Sequence, residues 1–291
     1  MPPSVTQQAL LPKLRFPEFR EAGEWENTPL GNLSTILRGG SPRPIDGFIT
    51  TSPDGLNWLK IGDVDKDSKY VTQTQEKVRQ EALTKTREVY PGDLILSNSM
   101  SFGRPYLMQI KTCIHDGWIA ITEVQTDLSR EYLYYFIFSS QCQSYFLDNA
   151  AGSGVLNLNA EIIKTLSIQY PKSSEQQKIA DCLSSLDDLI SAQAQKIDAL
   201  KTHKKGLMQQ LFPAEGETVP KLRFPEFSWD WIPYKIGDFI ESYCGGAALT
   251  PSDFSLTPDY EVIPKKAITE GGWLRIDSQN PTYCNEVFYK N

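Results

Sequence analysis

Two stretches and one lysine carry side chains suited to reading a planar, polar or anionic ligand. Arg38-Gly39-Gly40-Ser41-Pro42-Arg43 sets two guanidiniums and a hydroxyl on a glycine turn. A guanidinium fork pairs with phosphate oxygens or with the O6 and N7 edge of guanine, and paired glycines let a backbone approach closely. Ser97-Asn98-Ser99-Met100-Ser101-Phe102-Gly103-Arg104 follows a strand end and combines hydroxyls, an amide that matches the adenine edge, and a third guanidinium. Lys60, near the end of another strand, offers a point charge. The candidate nucleic-acid-binding set is therefore Arg38, Ser41, Arg43, Lys60, Asn98, Ser99, Ser101 and Arg104. For each, the plain alternative is a solvated loop or a turn that supports its own domain. The glycine-rich stretch from Gly152 to Asn159 offers backbone N–H groups to phosphate, but a structural joint is the favoured reading. The Lys201, Lys204 and Lys205 cluster reads as a solvated helix end before a phosphate contact.

Bond-making chemistry finds little support. Asn280-Pro281-Thr282-Tyr283 is one change from the Asn-Pro-Pro-Tyr loop of adenine methyltransferases, but no glycine-rich strand–turn–helix for a methyl donor accompanies it. Pro53-Asp54 with Asp67-Ser68-Lys69 fits a loose nuclease pattern of two carboxylates and a lysine. A solvated acidic loop through Asp63, Asp65 and Asp67 is the simpler reading. His115 and His203 are too few and too separated for a metal cluster, and no phosphate-binding loop, HExxH pair or Ser/His/Asp set occurs. The residues point to binding, with no catalytic group, no metal and no cofactor.

Binding loops need elements to hold them, and one element dominates. From about Ser174 to Phe212 apolar residues recur at Ile179, Leu183, Leu186, Ile190, Ile197, Leu200, Leu207 and Leu211. With Gln193 and Lys204 as polar members the gaps alternate four and three, which is a heptad seam that seeks another helix. Ser174 and Gln177 suggest a capping-box start, and Pro213 ends the run. At 1.5 Å per residue the rod would reach roughly 55 Å. The alternative is an amphipathic helix lying on its own domain.

Around the rod lies a repeat. Pro12-Lys13-Leu14-Arg15-Phe16-Pro17-Glu18-Phe19 returns unchanged as residues 220–227, and after a two-residue deletion Trp25, Leu30, Gly31, Leu33, Gly39 and Gly40 match Trp231, Ile236, Gly237, Phe239, Gly245 and Gly246. Two copies of a large domain therefore stand head to tail with the rod between them. In the first copy, strands are expected over Leu56–Val64, Val89–Ser97, Arg104–Ile110, Ile114–Thr122 and Leu166–Tyr170. A Tyr- and Phe-rich helix is expected over Ser129–Leu147, and a short helix capped by Asn159 over Ala160–Lys164. Nothing in the second copy matches the VYPGDLILS strand, the aromatic helix or a second rod. The fold class is α+β: a leader at 1–11, a mixed α/β domain at 12–171, the long helix at 172–213, and a partial second domain at 214–291.

Composition sets limits on partners. The 291 residues are 40% hydrophobic and 22% charged, ordinary for a globular chain. The net charge of −7 argues against indiscriminate nucleic-acid binding. Residues 12–171 hold 16 basic and 19 acidic groups, so any DNA contact needs a local face unlike the average. Five cysteines without CxxC spacing read as reduced, mostly buried thiols. No apolar run approaches a membrane span and no signal peptide is seen, so a cytoplasmic protein is expected.

In this order and spacing, the two PKLRFPEF octapeptides, PGDLILSNSMSFGRP at 91–105, GSGVLNLNAEIIKTLSIQYP at 152–171 and EQQKIADCLSSLDDLI at 175–190 resemble the specificity subunits of type I restriction–modification systems. The resemblance implies two target-recognition domains, each followed by a long helix. The helices pair antiparallel, so that each domain reads half of a bipartite site in double-stranded DNA. It also implies that methylation and cleavage belong to partner modification and restriction subunits. The chain departs from that pattern by ending inside the second domain, so a homodimer through the long helix is expected to supply the missing rod. The competing reading is a coiled-coil scaffold that binds partners without reading DNA; a third is a stand-alone nuclease or methyltransferase.

Overall fold

The computed structural model describes residues 11–286 apart from 100–101, 151–155, 243–245, 247, 259, 271 and 277–279. Ser101, the glycines at 152 and 154, most of the leader and Cys244 thus lie outside the described residues. The chain forms two compact units, Met1–Lys201 and Thr202–Asn291.

The first unit runs in chain order through β1 (Glu26–Pro29), β2 (Thr35–Arg38), β3 (Ile49–Thr50), β4 (Leu56–Leu59), β5 (Tyr70–Val71) and β6 (Glu76–Val78). It continues through β7 (Arg87–Val89), β8 (Leu94–Ser97), β9 (Pro105–Met108), β10 (Thr112–Ile114) and β11 (Trp118–Thr122). Then come α1 (Arg130–Phe138), α2 (Ser140–Asn149), α3 (Ala160–Thr165), β12 (Ser167–Tyr170) and α4 (Ser173–Leu211). Two five-stranded sheets result, ordered β2-β11-β8-β9-β5 and β3-β6-β4-β10-β7, with β1 and β12 as a separate antiparallel ribbon.

Alternation along the central strands explains the layering. In β8 and β11, Leu94, Leu96, Ile119 and Ile121 join the core cluster that includes Tyr132, Leu133, Ile137, Phe146 and Ile163 from the three short helices. Their neighbours Ile95, Trp118 and Ala120 point the opposite way, into a cluster with Leu59, Val89 and Ile114 of the second sheet. A strand buried on both faces reads as a continuous apolar run, as LILS and WIAI do. Each such buried side chain contributes about 1.5–3 kcal/mol relative to exposure.

The expected strand Val89–Ser97 is divided, β7 ending at Val89 in one sheet and β8 beginning at Leu94 in the other. Two further expected elements are broken, each by a local polar device. The run Ile114–Thr122 is not one strand: β10 ends at Ile114 and β11 begins at Trp118, in different sheets. His115-Asp116-Gly117 makes the turn between them, with the Trp118 N–H donating to the His115 carbonyl at 3.0 Å. The aromatic helix over 129–147 is two helices. Ser139 has extended backbone (φ −60°, ψ 147°) and its hydroxyl accepts the Cys142 N–H, so it ends α1 and caps α2. The Asn159 cap is as expected, its side chain accepting from the Ile162 N–H at 3.0 Å. β4 stops at Leu59 and a 3-10 turn takes Ile61–Asp63.

The ribbon of β1 and β12 pairs Glu26 with Tyr170 and Pro29 with Ser167, which brings the first octapeptide to the start of α4. There Arg15 places Nε and Nη2 on the two Glu175 carboxylate oxygens at 2.8 and 2.7 Å. Gln176, fully buried, donates to the Asp127 and Pro171 carbonyls and accepts the Ser129 N–H. These inward residues replace the expected Ser174–Gln177 capping box. The helix begins one residue earlier, at Ser173, and the Gln177 side chain turns to Asp181.

In the second unit β13 (Phe254–Ser255), β14 (Tyr260–Val262) and β15 (Thr282–Cys284) form a sheet ordered β13-β15-β14. Tyr283 is therefore a strand residue rather than the tip of a substrate loop. Ile236 and Phe239 are 76% and 73% exposed, whereas their counterparts Leu30 and Leu33 are 0% and 5%. In the first copy Ile163 of α3, Leu166 after it and Ile168 of β12 join the cluster around Leu30. Among the described residues, no helix is long and apolar enough to cross a membrane.

Candidate nucleic-acid interface

The turn that breaks the expected strand is the centre of the site. Asp116 accepts the Ser41 hydroxyl on Oδ1 at 2.8 Å, and its own N–H donates back to Ser41 Oγ at 3.2 Å. Arg43 Nη2 lies 3.5 Å from Asp116 Oδ2. Arg38 Nε donates to the Asp116 main-chain carbonyl at 2.9 Å, and Asn98 Nδ2 donates to the same oxygen at 2.9 Å. Two separate loops thus converge on one residue of a third. The double glycine makes this possible. The Gly39 N–H donates to the Trp118 carbonyl and the Gly40 N–H to the Ile114 carbonyl, on either side of the turn. A Cβ at Gly39 would lie 2.2 Å from the His115 oxygen, and one at Gly40 2.4 Å from the Lys85 oxygen. Only glycine permits this approach.

Beside the turn opens a cleft of about 650 Å³ with Ser41, Arg43, Trp58, Lys60, Glu76 and His115 on its walls. Trp58 and His115 meet edge to face at 5.9 Å. Lys60 Nζ is 2.7 Å from Glu76 Oε1, and that hydrogen bond, outweighing the effect of burial, raises its pKa. Burial works to raise the Asp116 pKa. The Ser41 hydroxyl and the positive field of His115, Arg38 and Arg43 outweigh it and hold the carboxyl below the ordinary value. Arg43 thus meets the Asp116 carboxylate and Arg38 its main-chain carbonyl, while in the cleft Arg43 and Lys60 are matched by Asp46 and Glu76. The Arg43 side chain is 83% exposed, tethered at one end and open to a ligand.

The other candidates lie differently. Asn98 is 2% exposed, with its amide donating to Asp116 and its oxygen accepting the half-buried Ser99 hydroxyl at 3.0 Å. It builds the turn and presents no free edge to a base. Arg104 does not join the Asp116 group. Its guanidinium stacks on Phe138 at 5.4 Å and lies 3.5 Å from Asp67, in a shallow cleft with Lys66, Phe102 and Gln143. The four residues Arg38, Arg43, Asn98 and Arg104, expected on one surface, are thus three around Asp116 and one elsewhere. Lys69, part of the loose nuclease pattern, points instead among Tyr70, Tyr134 and Tyr135, and burial lowers its pKa. No cluster of metal-ligating residues occurs among the described residues.

Sequence reasoning passed over Asp116, Glu175 and Gln176. For Asp116 a signal existed: an Asp-Gly pair inside an apolar run marks a turn. Nothing marks Glu175 and Gln176 among the charged residues of the helix.

The rod presents a second surface. α4 is continuous over 39 residues. Ile179 packs on the core of the first unit, and Tyr135 donates to Asp187 at 2.7 Å. Beyond that root Leu186, Ile190, Ile197 and Leu200 are 51–66% exposed, Leu183 is 36% exposed, and Leu207 and Leu211 are half-buried. The seam stands largely open.

The comparisons with known proteins agree with this layout. A family model described as the type I restriction modification DNA specificity domain matches residues 22–202. The type I restriction enzyme MjaVIII specificity subunit of Methanocaldococcus jannaschii is 22% identical over 240 residues, covering 80% of this chain and 52% of that protein. The MjaIX specificity subunit of the same organism is 27% identical over 188 residues, covering 62% and 43%. A chain from a solved structure of type I R-M system assembly and conformational transition superposes with a TM-score of 0.52 at 18% identity, covering 68% of this chain and 46% of that one. The chain thus spans about half the length of the curated relatives it matches. The match to the family model covers more than half of its residues, and the chain belongs to the type I restriction modification DNA specificity domain family.

Proposed function

We propose that the chain reads DNA sequence as the recognition component of a type I restriction–modification complex. The observation that carries this reading is that the residues matched by the DNA specificity model, 22–202, contain the whole arginine-bearing turn around Asp116. Arg43 and Arg38 are the base-reading candidates, with the Ser41 hydroxyl beside them and Asp116 fixing their positions. Lys60, which lines the same cleft, serves phosphate. Such a division between positioning and specifying contacts is general in DNA recognition. Asn98 supports this surface from below with Ser99 bonded to it, and Arg104 stands apart on Phe138 and Asp67.

The chain has no catalytic role in this reading; methylation and cleavage reside in modification and restriction subunits. α4 spaces the recognition domain from a second one and docks those partners. Its open seam suits antiparallel pairing, and two copies paired in this way form a homodimer with two reading heads related by a twofold axis. The exposed seam also favours partner binding as such, so the scaffold reading keeps that one feature. Gel-shift selection on random duplex pools, with and without a modification subunit, tests the proposal. An enriched sequence is expected. Retention of the modification subunit with no enriched sequence would leave only the scaffold.

A further inference from the structure

One side chain beside Asp116 is fixed at its root and along its ring, yet one of its nitrogens serves nothing in the fold. His115 follows β10 directly, where Cys113 and Ile114 pair in parallel with Trp58 and Leu59 of β4. Its N–H donates to the Leu59 carbonyl at 3.1 Å, and its own carbonyl accepts the Trp118 N–H. The imidazole meets the buried Trp58 ring edge to face, and its Nδ1 accepts the Gly117 N–H at 3.0 Å. A ring held in this way has little freedom left. Its side chain is still 39% exposed, on the wall of the cleft.

The hydrogen bond at Nδ1 decides what the other nitrogen offers. Asp116 Oδ1 also lies 3.1 Å from Nδ1, but that oxygen already accepts the Ser41 hydroxyl. The Gly117 N–H has no other acceptor among the described residues, and a half-buried backbone donor needs one. The neutral ring therefore carries its proton on Nε2, and a charged ring carries one there as well. Nε2 is a donor in either state, and no described residue takes its hydrogen.

We infer that His115 is a base-reading residue that donates from Nε2 to an acceptor on a major-groove edge and so refuses cytosine. The role rests on DNA reading by the Asp116 surface. Guanine offers O6 and N7 there, adenine N7 and thymine O4, whereas cytosine offers only its amino group. Two N–H donors brought face to face lose their water and gain no bond, so the mismatch is costly. Phosphate also accepts, but Ile45 and Ile49 line the same cleft, and such apolar walls suit the flat rim of a base. Arg43, on that cleft as well, supplies a separate donor.

Selection from a random duplex pool by the full chain, assembled with a modification subunit, tests the role. The unsubstituted chain should enrich a half-site with one position that excludes cytosine. His115→Asn places Oδ1 near the site of Nδ1, so it keeps the Gly117 bond and drops only the Nε2 donor. It should admit cytosine at that position, with discrimination about tenfold lower and every other position unchanged. His115→Gln sets an amide N–H near the site of Nε2 and should retain part of the discrimination. Arg43→Ala should relax a different position. Selection of the unchanged sequence by His115→Asn would overturn the inference. So would an even weakening of all sequences, the mark of a phosphate contact. Relaxation at the same position as Arg43→Ala would overturn it too, since His115 would then act only through Asp116. In each of these results an enriched half-site remains and DNA reading stands; no enriched sequence at all removes both.

Discussion

Replacing Gln176 by Met tests how the rod is fixed to the first unit. The glutamine is fully buried and makes three hydrogen bonds, at 2.7 Å to the Asp127 carbonyl, 2.7 Å to the Pro171 carbonyl and 2.8 Å from the Ser129 N–H. Methionine keeps the length and shape but satisfies none of the three backbone groups. Each lost bond costs about 1 kcal/mol net, and a backbone group left buried without a partner costs about 1–3 kcal/mol. Added apolar burial offsets roughly 1 kcal/mol. The expected loss is about 3 kcal/mol of first-unit stability. Gln176→Glu should fare worse, because it turns a carboxylate toward two carbonyls and places it beside Glu175. Urea unfolding followed by tryptophan fluorescence reads the stability, and hydrogen exchange at Ser129 and along the first turns of α4 reads the local effect. A Gln176→Met chain within 0.5 kcal/mol of the unsubstituted protein, with Ser129 equally protected, would refute the reasoning.

Asp116→Asn should keep the turn but release Arg43, and it should remove an acid-sensitive contribution to stability. The folded pKa of Asp116 is depressed, so its contribution is present above the unfolded value near 3.9 and fades as pH falls through the folded one. Unfolding midpoints measured from pH 5 down to pH 2 should therefore converge for the two proteins. Leu186→Asp with Ile197→Asp should yield a folded monomer by sedimentation while the parent associates at micromolar concentration; a monomeric parent would count against seam pairing. Iodoacetamide should label Cys182 in the native protein before Cys113 and Cys142. Cys182 is exposed, whereas the other two are buried and their thiols are pushed up to about 12 by that burial. Peptide mapping that finds Cys113 or Cys142 labelled first would contradict this placement.

The features legible in the sequence are those set by local pattern. The heptad spacing from Ile179 to Leu211 gave the rod within one residue at each end, because a seam leaves a period that no loop mimics. Asn159 gave its helix. What stayed hidden depends on contacts between residues far apart in the chain. Whether Ile114–Thr122 stays in one sheet is decided by Gly39 and Gly40 reaching both sides of the His115–Gly117 turn. Whether Arg38 and Arg43 act together is decided by Asp116, which lies more than seventy residues away from both. Composition marked Asn98 as a reader, but burial makes it a support. Arg104, from the same stretch, is drawn off by Phe138 and Asp67.

The most direct test of DNA reading by the Asp116 surface is selection from a random duplex pool, run in parallel with the unsubstituted chain, Arg43→Ala and Lys60→Ala. Each is assembled with a modification subunit. One enriched half-site is expected for the unsubstituted chain. Arg43→Ala should lose preference at a single base pair, worth about 1–3 kcal/mol. Lys60→Ala should select the same sequence with affinity lowered evenly and a salt slope reduced by about one. An enriched half-site that Arg43→Ala leaves unchanged at every position would contradict the account.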